Sequence, residues 1–541
     1  MQATILSALY VKSDLEDAPN YKAISYAWGN PANKVNVHCD GKLIVVTRNL
    51  RDALLRLRFK DKARLLWADA ICINQSDDVE KGSQVKIMQT IYGNATGVCV
   101  WLGCGTAEMQ PAFKLIDDIV SHESSTSADR TELPDPTSRC WSTLGAFFSA
   151  AWFTGLWVVQ EVYNHACTVF CGEHEMRWQD LVLIAEFLWE DPLNAYPGSR
   201  GDSISILQIN SAGHSHATSG VFDRFRHFNC SDQRDKVYAL LSFPPLSSLR
   251  PLIQPDYSKS VAEVFEEATV RIITSSQNLG LLSSLEHDCE IEDEDWPTWV
   301  PRWDRSRNVQ VLHKYSSGRV HSSLPRMHHQ PRILTLEGVR ISTSSWCGMV
   351  IEIVGATARY SESQRDPLKQ PLQELLNTLP KVTHPNDPLL LRIGMTLIVG
   401  LDLQSKCPPL DLAQFRLDFL AYLRDILPSL YMLCSTHHLS QLLMEQAQVG
   451  DAPRFYAAAF RGSKNKRIFC MQNGEFGIGP RAARAGDLVV LLYGSNAPSV
   501  LRPKGEYYQF VGECYVYQHM HGEAIEMAAE KLLPVEKFEL R

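Results

Sequence analysis

Two hydrophobic periods alternate through the first 110 residues. Tyr21-Lys22-Ala23-Ile24-Ser25-Tyr26 reads as a strand stopped by Gly29-Asn30-Pro31. Val35 to Cys39 and Leu43 to Val46 flank Asp40-Gly41, a pair that tolerates positive φ, and predict a hairpin. Leu50, Ala53, Leu54 and Leu57 recur at helical spacing, with Asn49 placed to cap that helix. Leu65-Leu66-Trp67-Ala68 is a short apolar run ending at Asp69. Asp77 and Glu80 resemble a capping box for a helix with Val85, Met88 and Ile91 on one face. Val98-Cys99-Val100-Trp101-Leu102-Gly103 reads as a buried strand closed by glycine. Strands alternating with helices at this spacing predict an α/β domain with a parallel sheet. Ligand sites in such sheets lie beyond the carboxyl ends of the strands, where Asp69 and the Gly103 turn fall.

Further along, Trp157 to Tyr163 reads as a helix and Ala166 to Phe170 as a strand. Ser121 to Arg139 and Asp191 to Gly220 are polar and predict surface loops. Ser260 and Glu263 form a capping box for an amphipathic helix to about Ile273. Residues 302–332 are rich in Arg, His and Ser, without apolar periodicity, and predict a solvated linker. A strand-rich stretch at 333–354, a helix-rich one from Leu412 to Gln448, and strands from Gly486 follow. The expected division is an α/β domain at 1–185, a mostly helical extension at 186–304, a linker at 305–332 and a mixed α+β region at 333–541.

Composition mainly removes alternatives. The 541 residues are 45% hydrophobic and 21% charged, as in soluble globular chains, and allow two to four domains. The net charge of −8 argues against nucleic acid as a partner. The 14 cysteines are dispersed, with no C-x-x-C, which fits a reducing, cytoplasmic setting. Met1-Gln2-Ala3-Thr4-Ile5 does not read as a signal peptide. Cys140 to Gln160 is uncharged and long enough for a bilayer. Its Ser, Thr, Gln and Gly residues favour a buried helix-turn-helix, so no membrane span is expected.

Four stretches resemble the fungal heterokaryon incompatibility (HET) domain and its usual continuation. They are Tyr21 to Gly29 with the Asn49-Leu50-Arg51-Asp52-Ala53-Leu54 helix; Leu66-Trp67-Ala68-Asp69-Ala70-Ile71-Cys72-Ile73-Asn74-Gln75, running through Gln84-Val85 to Val100-Trp101-Leu102-Gly103; Trp152-Phe153 with Leu156-Trp157-Val158-Val159-Gln160-Glu161-Val162; and Asp235 to Leu241 with Pro255-Asp256-Tyr257-Ser258 and Pro297 to Asp304. Gly486-Asp487, Pro498, Leu501-Arg502-Pro503 and Val511 to Val516 are similar to the tail of such proteins. Ala68 departs from the usual Ile or Val. The resemblance implies nonself recognition, with programmed cell death after fusion of incompatible cells, through protein partners or self-association.

Leu156 to Glu161 is also similar to the W-C-x-x-E segment of TIR domains, whose glutamate cleaves NAD. This implies a TIR- or flavodoxin-like sheet, Glu161 as a catalytic carboxylate and NAD as a possible substrate. The other reading makes Glu161 a structural group that burial forces to pair or to hold its proton. Asp69, Asn74 and Gln75 form a polar cluster at a strand end and either contact a nucleotide or cap a turn. Trp28 and Trp67 either wall that site or belong to the core. His165, Cys167, Cys171 and His174 have ligand-type side chains but no zinc-finger spacing, so no metal is expected. Gly477-Ile478-Gly479-Pro480 is no dinucleotide loop, and P-loop, H-E-x-x-H and G-x-S-x-G motifs are missing.

Overall fold

A computed structural model describes the chain apart from residues 1–6, 10, 31, 125–131, 164, 191–201, 212–217, 242, 244–245, 247, 250, 286, 288–290, 292–294, 306–311, 313–314, 316, 319–326, 353–365, 403–408, 410 and 428. It divides into two compact units, Met1–Val264 and Phe265–Arg541. The class is mixed α/β, with a mostly parallel N-terminal sheet, a helical middle and a strand-rich C-terminal region.

The first unit begins with β1 (Ser7–Ala8), β2 (Lys22–Tyr26) and the hairpin β3 (Lys34–Cys39) and β4 (Lys42–Thr47). Then come α1 (Arg48–Leu57), β5 (Leu66–Trp67), α2 (Asp69–Cys72), α3 (Asp78–Asn94) and β6 (Val98–Trp101). After α4 (Gln110–Ser124), α5 (Arg139–Phe148) and α6 (Val158–Val162), the pair β7 (Cys167–Cys171) and β8 (His174–Arg177) completes a sheet ordered β5-β2-β6-β7-β8. The first four of these strands are parallel and β8 is antiparallel. From β2 the chain moves outward to β5, and then returns to β6 on the other side. That is the doubly wound flavodoxin-like order, with its switch point between the carboxyl ends of β2 and β6. Four of the five residues of β2 and all of β6 are buried, as expected of strands covered on both faces.

Local rules explain most element ends. Asp40 and Gly41 take φ of 49° and 73°, which the two-residue hairpin turn requires. Thr47, not Asn49, caps α1: its hydroxyl accepts from the Leu50 N–H. Asp77 caps α3 through the N–H groups of Val79 and Glu80, while Glu80 reaches back to Asn74 N–H rather than to Asp77. The Ser260–Glu263 box closes reciprocally. The apolar stretch at 140–160 folds as α5, a 3-10 turn at Ala151–Thr154 and α6, with Trp152, Phe153 and Phe148 fully buried. No helix among the described residues is long and apolar enough to cross a membrane.

The helical middle holds α7 (Trp178–Glu190), α8 (Ser203–Asn210), α9 (Thr218–Arg224), α10 (Asp235–Tyr238) and α11 (Val261–Ser276), the last running across the division between units. The loop expected at 191–220 contains α8, anchored by buried Ile206 and Ile209; residues 191–201 and 212–217 lie outside the described residues, as does 125–131 of the loop expected at 121–139. Most of 305–332 also lies outside them, although Leu312 and Tyr315 are buried.

In the second unit, β9 (Met327–Gln330) leads into β10 (Ile333–Val350). Here the strand-rich stretch is one long strand that bends through register shifts and pairs in turn with several partners. Then come α12 (Lys369–Thr378), α13 (Pro388–Leu397), α14 (Leu412–Ile426), α15 (His437–Ala447) and α16 (Ala452–Ser463). The remaining elements are β11 (Lys466–Met471), β12 (Phe476–Pro480), β13 (Leu488–Leu492), β14 (Ser499–Lys504), β15 (Tyr507–Glu513), α17 (Glu523–Ala529) and β16 (Val535–Leu540). Strands β10, β13, β14, β15 and β16 pair around a closed ring, which removes open edges. Gly477-Ile478-Gly479 lies in β12, where a side chain at Gly477 would strike the Tyr515 carbonyl at 2.5 Å.

Candidate functional site

The carboxyl ends of β2, β5 and β6 gather the residues expected there. Asp69 opens α2, and its Oδ1 accepts from the Ala70 N–H at 2.7 Å while Oδ2 accepts from Trp28 Nε1 at 2.8 Å. Burial raises the Asp69 carboxyl pKa, and the hydrogen bonds from Trp28 and Ala70 oppose that rise. Trp28 is 45% exposed, so it lies at the surface of the strand end rather than in the core. Trp67 instead packs edge-on against Tyr92, with ring centroids 5.4 Å apart. Gln75 Nε2 donates to the Asp69 carbonyl at 3.3 Å. Asn74 Oδ1 accepts from the N–H and hydroxyl of Ser76, an Asx turn, so its side chain shapes the loop. Asn49 spans the switch point: Nδ2 donates to the Ala27 carbonyl at 2.7 Å and Oδ1 accepts from Trp101 Nε1 at 2.9 Å. Beside it, Arg51 pairs with Asp52, which also accepts from the exposed Cys104 thiol at 3.4 Å.

Glu161 sits on α6 and is only 7% exposed. Its Oε2 accepts from the Ser25 hydroxyl at 2.5 Å, and Ser25 in turn accepts from Trp152 Nε1 at 2.9 Å. Tyr92, whose hydroxyl donates to the Ile24 carbonyl at 3.1 Å, also bonds to Glu161. Burial pushes the Glu161 pKa up to about 8, against the pull of Ser25, and Asp69 adds to the rise. The two acids therefore feel each other. Yet Glu161 bonds to Ser25, while Asp69 lies beside Tyr26, and side chains of consecutive strand residues leave opposite faces. A small cavity of about 60 Å³ opens near the neighbouring Gln160, lined by Val85, Lys86, Tyr238 and Pro255; Glu161 is not among its walls.

A third buried acid had no signal in the spacing. Asp235, at the start of α10, accepts from Trp157 Nε1 at 3.0 Å and from the Tyr257 hydroxyl at 2.7 Å. Burial pushes its pKa up to about 6, while these two bonds and nearby Lys81 hold it down. The Lys81 ammonium lies 4.1 Å from the centre of the Tyr257 ring. Arg234 pairs with Asp232 at 2.7 Å and donates to the Lys259 carbonyl at 2.9 Å, and Tyr238 donates to the Asp256 carbonyl at 3.0 Å. Trp157, the Asp235 run and the Pro255–Ser258 run, distant in sequence, thus close on one carboxyl group. A partner recruited from 78 residues away leaves no mark on local periodicity.

The Cys and His residues around β7 do not converge. Burial pushes the thiols of Cys167 and Cys171 up to about 12 and about 11, so both stay protonated. His174 stacks on Phe113 at 3.7 Å. No cluster among the described residues could hold a metal ion. In the second unit, Asp487 and Arg502 form a buried ion pair at 2.9 Å, joining two segments of the tail.

Comparison with known proteins agrees with this architecture. Residues 21–161 match the family model of the heterokaryon incompatibility protein (HET), which spans β2 to Glu161. Residues 432–532 match that of the Het-6 beta-barrel domain, leaving β10 and β16 of the closed ring outside the match. Over 624 aligned positions the chain is 24% identical to heterokaryon incompatibility protein 6, OR allele, of Neurospora crassa, covering 94% of this chain and 90% of that protein. No solved structure matches it significantly. The doubly wound sheet and the closed ring of strands thus overlap the regions that match the HET model and the Het-6 beta-barrel model, in a chain similar along nearly its whole length to heterokaryon incompatibility protein 6.

Proposed function

We propose that this chain is a cytoplasmic nonself-recognition protein that promotes programmed cell death after incompatible cells fuse, its HET domain signalling through self-association or protein partners. The observation that carries this reading is the similarity to a heterokaryon incompatibility protein along 94% of the chain, rather than in one shared domain. The burial of Glu161 supports a signalling module over an enzyme. A catalytic carboxylate has to reach its substrate, whereas Glu161 is enclosed by Ser25, Tyr92 and the aromatic ring of Trp152 beyond them.

One observation favours a second reading, an effector that cleaves NAD with Glu161. A carboxyl group whose pKa is about 8 is a proton donor near neutral pH. It lies near a switch point, where doubly wound sheets bind nucleotides, with Asp69, Gln75 and Trp28 as the contacts. Expression in yeast separates the two. Wild type and Glu161→Gln are compared for killing and for cellular NAD, with soluble protein measured in both. The signalling reading expects both to kill with NAD unchanged. NAD loss in wild type, abolished together with killing in a soluble Glu161→Gln variant, would overturn it.

A further inference from the structure

The hairpin formed by β3 and β4 leaves one edge open: among the described residues, β4 pairs only with β3. The two-residue turn at Asp40-Gly41 makes Cys39 and Lys42 a hydrogen-bonded pair, and every second pair after it follows suit. The bond from Arg48 N–H to the Asn33 carbonyl continues that parity. On β4, therefore, Lys42, Ile44 and Val46 spend their main-chain groups on β3. Leu43, Val45 and Thr47 turn theirs outward. Leu43 and Val45 are also 59% and 60% exposed, on one face. Along the same edge runs a groove of about 300 Å³, lined by Ile44, Val45, Val46, Ala70 and Ile71, with Cys39, Asp40 and Lys42 at its turn end. Exposed strand edges are usually blunted by proline, a bulge or a central charge. Between Leu43 and Val46 the strand has none of these, and its register is unbroken.

We propose that β4 is the edge through which two copies of this chain join, antiparallel, with Ile44 on the two-fold axis. In that register Leu43 of each copy forms a hydrogen-bonded pair with Val45 of the other, matching the outward main-chain groups. The four exposed apolar side chains cover one another on one face. The two Ile44 side chains meet on the other. The charges also agree: exposed Asp40 in the turn and exposed Arg48 at the start of α1 flank β4 at its two ends, so an antiparallel copy brings unlike charges toward each other at both ends of the joint. One strand and its own copy thereby satisfy hydrogen bonding, apolar contact and charge together, the usual grounds for strand addition. The proposal rests on the reading of the HET domain as a self-associating module and names the surface that does it.

The test is sedimentation velocity on the full chain at micromolar concentrations. The expected result is a species of twice the 61.0 kDa chain mass. Val45→Lys, which puts two like charges into the joint without touching the β3 pairing, is expected to weaken it at least about tenfold. Ile44→Cys provides an independent readout. Residues facing each other in a non-hydrogen-bonded pair lie about 4.5 Å apart at Cα, within disulfide reach. Mild oxidation is therefore expected to give a covalent dimer absent from the parent chain. A chain that stays monomeric at every concentration overturns both this surface and self-association itself. A dimer indifferent to Val45→Lys, with no cross-link from Ile44→Cys, overturns the surface alone.

Discussion

Glu161 holds its proton to about pH 8 because folding removes its carboxyl group from water and offers it neutral partners, Ser25 and Tyr92. The consequence for stability has a definite sign. The folded group binds its proton more tightly than the unfolded one, whose pKa is near 4.5. Its contribution is therefore complete below about pH 4.5 and is lost as pH rises through about 8, a span on the order of 5 kcal/mol at most. Glu161→Gln keeps the shape without the charge. Denaturation at pH 5.5 and pH 8 should show a smaller loss of stability for this variant than for wild type. Glu161→Ala instead empties the site and leaves the Ser25 hydroxyl facing a void, at a cost of about 2–4 kcal/mol at pH 5.5 that shrinks toward pH 8 as wild type loses its proton-linked stability. Asp235→Ala should cost a similar amount, since it orphans the Trp157 and Tyr257 donors. The measurement is the denaturation midpoint with its slope unchanged. Asp69, Asn74 and Gln75 were readable as a polar strand end, with Trp28 as a wall of it or a core residue; the fold brings Trp28 onto the Asp69 carboxyl and Gln75 onto its carbonyl. Asn74 was equally readable as a turn residue, and its side chain is spent on Ser76.

At the scale of elements, the ends matter more than the middles. Asp77 satisfies two N–H groups at the start of α3, and Asp77→Ala should cost about 1 kcal/mol in thermal or denaturant unfolding. Gly172 is more demanding. It links β7 to β8 at φ +56°, and an added Cβ would lie 2.3 Å from the Cys104 carbonyl. Gly172→Ala combines backbone strain with a clash against main chain, so a loss of at least about 2 kcal/mol is expected in the same assay. The sequence placed α1, α3, α6, β2, β6 and β7 because each carries a full apolar period with a recognisable stop. It misplaced the α1 cap. Thr47 and Asn49 are both good capping residues, and the choice fell to tertiary need: Asn49 is held at the switch point by Ala27 and Trp101. It also gave no sign that 333–350 is one bent strand, because a strand changing partners along its length keeps the same alternation.

For the whole molecule, the order β5-β2-β6-β7-β8 decides where chemistry could occur. It creates one switch point, and around it lie Trp28, Asn49, Asp52, Asp69 and Cys104. Killing and NAD measurements with Glu161→Gln test the function of this domain as a whole, and the expectation is killing without NAD loss. Closure of the C-terminal ring leaves its strands few open edges, whereas the β3–β4 hairpin keeps one.

By itself the sequence determined the parallel α/β character, the main capping and turn positions, and the family resemblance. Those properties are written in hydrophobic period and in residues that act on their near neighbours. Tertiary structure alone decided which distant groups meet. It buried Glu161 under Ser25, drew Trp157 and Tyr257 onto Asp235, and left β4 with an outward row of main-chain donors and acceptors. Burial and hydrogen-bond partnership are properties of the assembled chain. A carboxylate reads the same in sequence whether it faces water or, like Glu161, a hydroxyl contributed from 136 residues away.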